Sequence, residues 1–89
     1  QEDHLCHATP AALKALDIIE NTTRVLAIEL LAAAQAYDLQ PGETGRAAST
    51  DALWRHVRER APAYHDDRPL ADDIAIAAGI VAGVPPSLR

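Results

Sequence analysis

Apolar positions along the chain recur at helical spacing and never alternate over a strand's length, so the pattern predicts helices alone. The longest patterned stretch covers residues 9–39, with Thr9 as its expected N-cap and Pro10 in the tolerant first turn. After Pro10 that stretch has no Gly and no further Pro. Lys14, Asp17, Glu20, Asn21, Arg24, Gln35 and Asp38 gather into one polar stripe at 100° per residue. Leu16, Ile18, Ile19, Val25, Leu26, Leu30 and most of the alanines cover the rest. A second helix is expected over residues 49–61, capped by Ser49 or Thr50, anchored by Leu53, Trp54 and Val57, and stopped by Pro62. A third is expected over residues 71–82, with Asp72 and Asp73 at the positive end of its dipole and Gly83, Pro85 and Pro86 after it. Gln40 to Ala48, with Pro41, Gly42 and Gly45, reads as a loop, as does Pro62 to Pro69. The fold class is all-α: one long helix plus two short ones.

The long helix does not fit inside its own domain. About 29 residues at 1.5 Å each make a rod of roughly 43 Å. A compact globule of this length has a diameter of roughly 30 Å. Its broad apolar surface requires several neighbours, and two short helices cannot cover it. Ala32, Ala33, Ala34 and Ala36 would let another helix axis come close. The sequence therefore reads as part of a larger helical bundle.

Composition sharpens this. Of 89 residues, 19 are Ala, and there is no Phe, no Met, one Trp and two Tyr, so the 48% hydrophobic fraction overstates the core that can be buried. A formal charge of −5 argues against a nucleic-acid partner, which needs a basic face. The lone Cys6 excludes an intrachain disulfide and fits a reducing, cytoplasmic setting. No run approaches the ~20 apolar residues of a membrane span. The chain opens on Gln1, not Met, and is expected to be an end piece of something longer.

Candidate chemistry concentrates at Gln1-Glu2-Asp3-His4-Leu5-Cys6-His7. His4 and His7, with Glu2 or Asp3, are a conceivable metal set, but zinc motifs bring more ligands at firmer spacing. Cys6 beside a histidine is a conceivable nucleophile pair, although sequence neighbours rarely hold the needed geometry. A solvated, inert terminus is the third reading. Glu29 lies on the apolar side of the long helix, where a carboxylate must be paired, and an ion pair to a neighbouring helix is expected. Asp66-Asp67-Arg68-Pro69 reads as a turn before a helix in preference to an anion or metal loop. Arg55, His56, Arg58, Glu59 and Arg60 read as a solvated face.

Two stretches then combine. Gln1-Glu2-Asp3-His4, followed by Glu20-Asn21-Thr22-Thr23-Arg24-Val25-Leu26-Ala27-Ile28-Glu29, resembles the C-terminal part of the histidine ammonia-lyases. Asp67-Arg68-Pro69-Leu70-Ala71-Asp72-Asp73-Ile74 is similar to that family's last helix start, and Val84-Pro85-Pro86-Ser87-Leu88-Arg89 is compatible with its ending. Order and spacing agree over nearly all of the chain. The wider family comprises ammonia-lyases for histidine, phenylalanine and tyrosine, and aminomutases.

The resemblance implies a mostly helical homotetramer whose active sites combine residues of three subunits. It implies an electrophilic methylidene-imidazolone (MIO) formed from Ala-Ser-Gly, which must lie outside these 89 residues, and a tyrosine base. Neither Tyr37, mid-helix, nor Tyr64, in a distal loop, can be assigned as that base. The resemblance implies that Glu2 is the catalytic acidic residue contacting the substrate amine or imidazole, with Gln1 and His4 lining or supporting the same pocket, and no metal. Physically, a carboxylate gives such a substrate a charge-assisted hydrogen bond, and burial would raise its pKa toward proton exchange. Glutamate at this position, where the phenylalanine enzymes carry glutamine, favours L-histidine as substrate and urocanate as product. One departure stands out: the family continues Val-Ser-Met after the histidine, and this chain has Leu5-Cys6-His7, which opens the substrate to another amino acid. Alternatives are an aminomutase, or a non-enzymatic helical module binding another bundle through the long helix.

Overall fold

The computed structural model describes residues 2–40, 47–63 and 67–83, with side chains from residue 8 onward. Three helices follow one another: α1 (Glu2–Leu39), α2 (Ala48–Arg60) and α3 (Ala71–Gly83). No strand occurs among the described residues. The all-α expectation of one long and two short helices holds.

α1 is longer than expected, and Thr9 is not its cap. It runs 38 residues and carries Pro10 in its interior. Proline there costs a backbone hydrogen bond and crowds the preceding turn, a penalty of about 3 kcal/mol in a free helix. Strong helix formers flank it on the C-terminal side, from Ala11 to Leu16, and support the helix on through the site. α2 starts one residue before Ser49, with Ala47 as an extended N-cap that makes no side-chain capping bond. Ser49 and Thr50 are thus inside the first turn, and Asp51 supplies the favourable acid there. At its end Ala61 is extended (φ −128°, ψ 94°) and its N–H still bonds the Val57 carbonyl. Pro62 imposes that conformation on the residue before it.

The helices pack around a small centre. α1 packs chiefly on α3, and α2 closes the C-terminal part of α1. Ala34, Val57 and Ile80 form the buried cluster, with Leu30, Leu31, Leu53, Trp54 and Ile76 packed around it. Ala27, Ala61 and Ala77 are fully buried as well. Small side chains at these positions let helix axes approach closely. Of the four alanines expected to serve this purpose, only Ala34 does so here; Ala32, Ala33 and Ala36 are exposed.

The rest of α1 overshoots. The molecule measures 62 × 31 × 16 Å, its long dimension set by this helix. Leu13, Leu16, Ile18, Ile19, Val25, Leu26 and Ile28 are all exposed, Ile19 by 60%. Seven large aliphatic side chains open to water on one helix exceed what a folded monomer normally leaves uncovered. No helix among the described residues is long and apolar enough to cross a membrane.

The 89-residue chain on its own is therefore expected to self-associate or to melt without cooperativity. Sedimentation together with thermal circular dichroism checks this; a monomer with a sharp transition would contradict it.

Candidate functional site

The polar geometry is densest where α1 ends against α2. Asp38 lies in the last turn of α1, and Trp54 and Arg58 lie one turn apart on α2. Trp54 Nε1 donates to Asp38 Oδ1 at 2.7 Å. Arg58 donates to Asp38 Oδ2 from Nε at 3.0 Å and from Nη2 at 2.7 Å. Its Nη1 also donates to the Ala61 carbonyl at 2.8 Å, tying the clamp to the end of α2. The Arg58 and Asp38 side chains are only 14% and 18% exposed. Shielding from water strengthens a charge-assisted bond of this kind. Arg58 was expected on a solvated face; it is instead the main cation of the α1–α2 contact. Arg55, Glu59 and Arg60 do lie exposed, with His56 between the two conditions.

A second link runs beside the clamp. Tyr37 donates its hydroxyl proton to Asp51 Oδ1 at 2.9 Å, and Asp51 Oδ2 pairs with Arg55 at 2.7 Å. The Tyr37 and Trp54 rings stand 5.4 Å apart, tilted by 44°. That spacing suits the aromatic quadrupoles. Tyr37 thus ties α1 to α2 through both its hydroxyl and its ring.

At the start of α3, Arg68 bonds Asp73 Oδ2 through Nη2 at 2.8 Å and Nε at 3.2 Å, and donates to the Pro62 carbonyl at 2.7 Å. This brace ties the start of α3 to the residue two beyond the end of α2; the expected turn over 66–69 includes Asp66, which with Tyr64 and His65 lies outside the described residues. Between α2 and α3 an open cleft of about 520 Å³ is lined by His56, Arg60, Ile76, Gly79, Ile80 and Gly83. Arg60 Nη1 meets His56 Nδ1 at 3.0 Å. A guanidinium only donates, so that nitrogen accepts. Among the described residues no cluster of three metal-ligating side chains forms.

Glu29 departs from expectation. It is exposed and has no ion-pair partner among the described residues. It borders a shallow groove with Leu26, Leu30, Ala33, Leu53 and Val81. Among the described residues neither α2 nor α3 brings it the cation that was expected from a neighbouring helix.

The sequence-predicted site lies at the other end of the molecule. Glu2 and His4 belong to the first turns of α1, so this segment continues the long helix instead of preceding it. Gln1 and the side chains of Glu2, His4, Cys6 and His7 lie outside the described residues, as do 84–89. The structural centre built by Tyr37, Asp38, Asp51 and Arg58 was missed by sequence reasoning. Its only signal is a single Asp at the end of one helix and a Trp and an Arg one turn apart on the next, after a short loop.

Residues 1–59 match the model of the aromatic amino acid lyases. The chain belongs to that family. The matched region takes in α1 and almost all of α2, and hence Asp38, Trp54 and Arg58. Histidine ammonia-lyase of Natranaerobius thermophilus is 51% identical to it over 75 residues, 83% of this chain and 14% of that protein. Histidine ammonia-lyases of Symbiobacterium thermophilum and Burkholderia multivorans are 47% and 44% identical over 81 residues, 91% of this chain and 16% of each relative. The chain thus spans about one sixth of the length of the curated relatives it matches. No solved structure matches it.

Replacing Asp38 by Ala removes the acceptor of three hydrogen bonds and leaves the Arg58 charge unpaired and mostly shielded from water. In a full-length lyase carrying this segment, Asp38→Ala is expected to cost roughly 3 kcal/mol of stability. Thermal or denaturant unfolding checks this, and an unchanged midpoint would show that the clamp holds nothing together.

Proposed function

We propose that this chain is the C-terminal segment of a histidine ammonia-lyase, which eliminates ammonia from L-histidine to give urocanate. One observation carries the reading: histidine ammonia-lyases from separate bacterial genera are 44–51% identical to this chain across 83–91% of its length. The segment is read as working within a longer lyase chain, assembled as a cytoplasmic homotetramer.

In this reading the reaction divides between this segment and the rest of the enzyme. No Ala-Ser-Gly occurs in the 89 residues, so the methylidene-imidazolone is assigned to the remainder of the lyase chain. When present, that group withdraws electrons from the substrate amine and makes ammonia a better leaving group. The residues of this segment bind and orient. Glu2 is assigned as the acid at the pocket edge, its carboxylate accepting a hydrogen bond from the substrate ammonium or imidazole N–H. A carboxylate drawn out of water by the closed pocket favours its protonated form, so it can exchange a proton with the departing amine. Gln1 and His4 are assigned to the lining and support of that carboxylate. The backbone of Glu2 and His4 continues into α1, and this supports a positioning role, because a side chain mounted on a helix is held better than one on a free terminus.

Leu5-Cys6-His7 favours a second reading, a family member acting on another aromatic amino acid or an aminomutase returning ammonia to the β-carbon. An imidazole in place of the family's methionine makes the pocket edge more polar. Product analysis separates these readings: urocanate supports the lyase, and a β-amino acid supports the mutase.

Glu2→Gln in the full-length enzyme is expected to cut turnover of L-histidine about 100-fold or more while leaving the melting temperature near that of the parent. Urocanate absorbance and thermal unfolding read the two effects separately. Unchanged kinetics would remove Glu2 from the site.

A further inference from the structure

The exposed flank of α1 has a seam of its own. Ala11, Ala15, Ile18, Thr22, Val25, Glu29, Ala33 and Ala36 follow one another at spacings of three or four residues. At 100° per residue they lie within about 40° of one line along the helix. Every one of them is exposed. Such spacing is the mark of a helix seam that receives another helix, and its alanines admit a close approach of the axes. Glu29 is the one ionisable residue in the row.

The positions one turn before and after Glu29 are Val25, Leu26, Ala32 and Ala33, so its own helix offers it no cation. The other clamped acids differ. Asp38, Asp51 and Asp73 each pair with an arginine of this chain at 2.7–2.8 Å. A carboxylate open to water needs no partner. Once Val25, Leu26 and Ile28 are covered, water leaves Glu29 as well, and a buried unpaired carboxylate is too costly to persist.

We propose that this seam receives an α-helix from the part of the lyase chain outside residues 1–89, and that this helix presents a lysine or arginine to Glu29. The relatives are about six times longer than this chain, so ample polypeptide exists to supply it. Charge complementarity at Glu29 fixes the register: a one-residue slip of the incoming helix carries its cation off the seam and leaves two unpaired charges. The inference rests on the reading of this chain as a segment of a longer lyase, and goes beyond it by naming the partner's chemistry.

The test uses the full-length enzyme. Glu29→Gln is expected to lower the melting temperature, and Glu29→Lys to lower it further. Reversing one specific lysine or arginine outside this segment to glutamate is expected to restore the Glu29→Lys enzyme. Melting temperatures of both variants equal to the parent's would overturn the proposal, because Glu29 would then remain in water. Restoration by Lys14→Glu or Arg24→Glu would overturn it too, since the seam would then be closed by a second copy of α1. Urocanate formation by the unmodified enzyme is assayed alongside; its absence would refute the lyase activity while leaving the thermal result on the seam intact.

Discussion

The architecture depends on one shared acceptor. Asp38 takes the indole N–H of Trp54 on one oxygen and two guanidinium N–H groups of Arg58 on the other. That carboxylate fixes both the rotation and the height of α2 against the end of α1. With α2 so placed, Val57 meets Ala34 and Ile80, and the small core has a definite shape. Burial alone specifies little here, because alanines dominate the buried set. Apolar surface is non-directional, whereas a forked guanidinium on a carboxylate accepts one geometry. In a chain this poor in large side chains, polar contacts supply the uniqueness that a jigsaw of phenylalanines and leucines supplies elsewhere.

The two ends of α1 consequently have different characters. Its C-terminal third is settled by α2, α3 and the clamp. Its N-terminal two thirds project with aliphatic side chains open to water, and this is the part that begins at Glu2. The distance between Asp38 and Glu2, along about 36 residues of helix, is roughly 54 Å. Anything that orients Glu2 must therefore reach it through neighbours outside this chain, not through the small core.

Much of this was legible in the sequence because helical period, helix length and alanine content act locally. The overshoot of α1 follows from counting residues, and the Leu53, Trp54 and Val57 anchors follow from spacing. The start of α1 was misread because Thr9-Pro10 forms a sound helix-start signal by local rules, and flanking helix formers overrode it. Arg58 was misread as solvated because sequence does not reveal that α2 turns that side toward Asp38. Glu29 was expected to pair with a neighbouring helix, and among the described residues neither α2 nor α3 supplies the cation, which periodicity along α1 does not reveal. Family membership was readable at residue level, since Gln1-Glu2-Asp3-His4 and the Glu20 to Glu29 stretch occur in order at a fixed separation. Gln1 and the side chains of Glu2 and His4 lie outside the described residues.

Pro10 has a consequence beyond the local crowding it causes. Because proline has no N–H, the carbonyl of Cys6 is deprived of the donor four residues ahead that its counterparts along α1 receive. That oxygen, in the second turn of α1, therefore stands outside the regular ladder of the helix. It sits between His4 and His7 in the chain, close to the segment assigned to the substrate pocket. No side-chain replacement at residues 1–8 can take it away. Its hydrogen bond is open to a donor other than the helix backbone four residues on, which makes this turn a place where a covering surface can be held by the main chain itself.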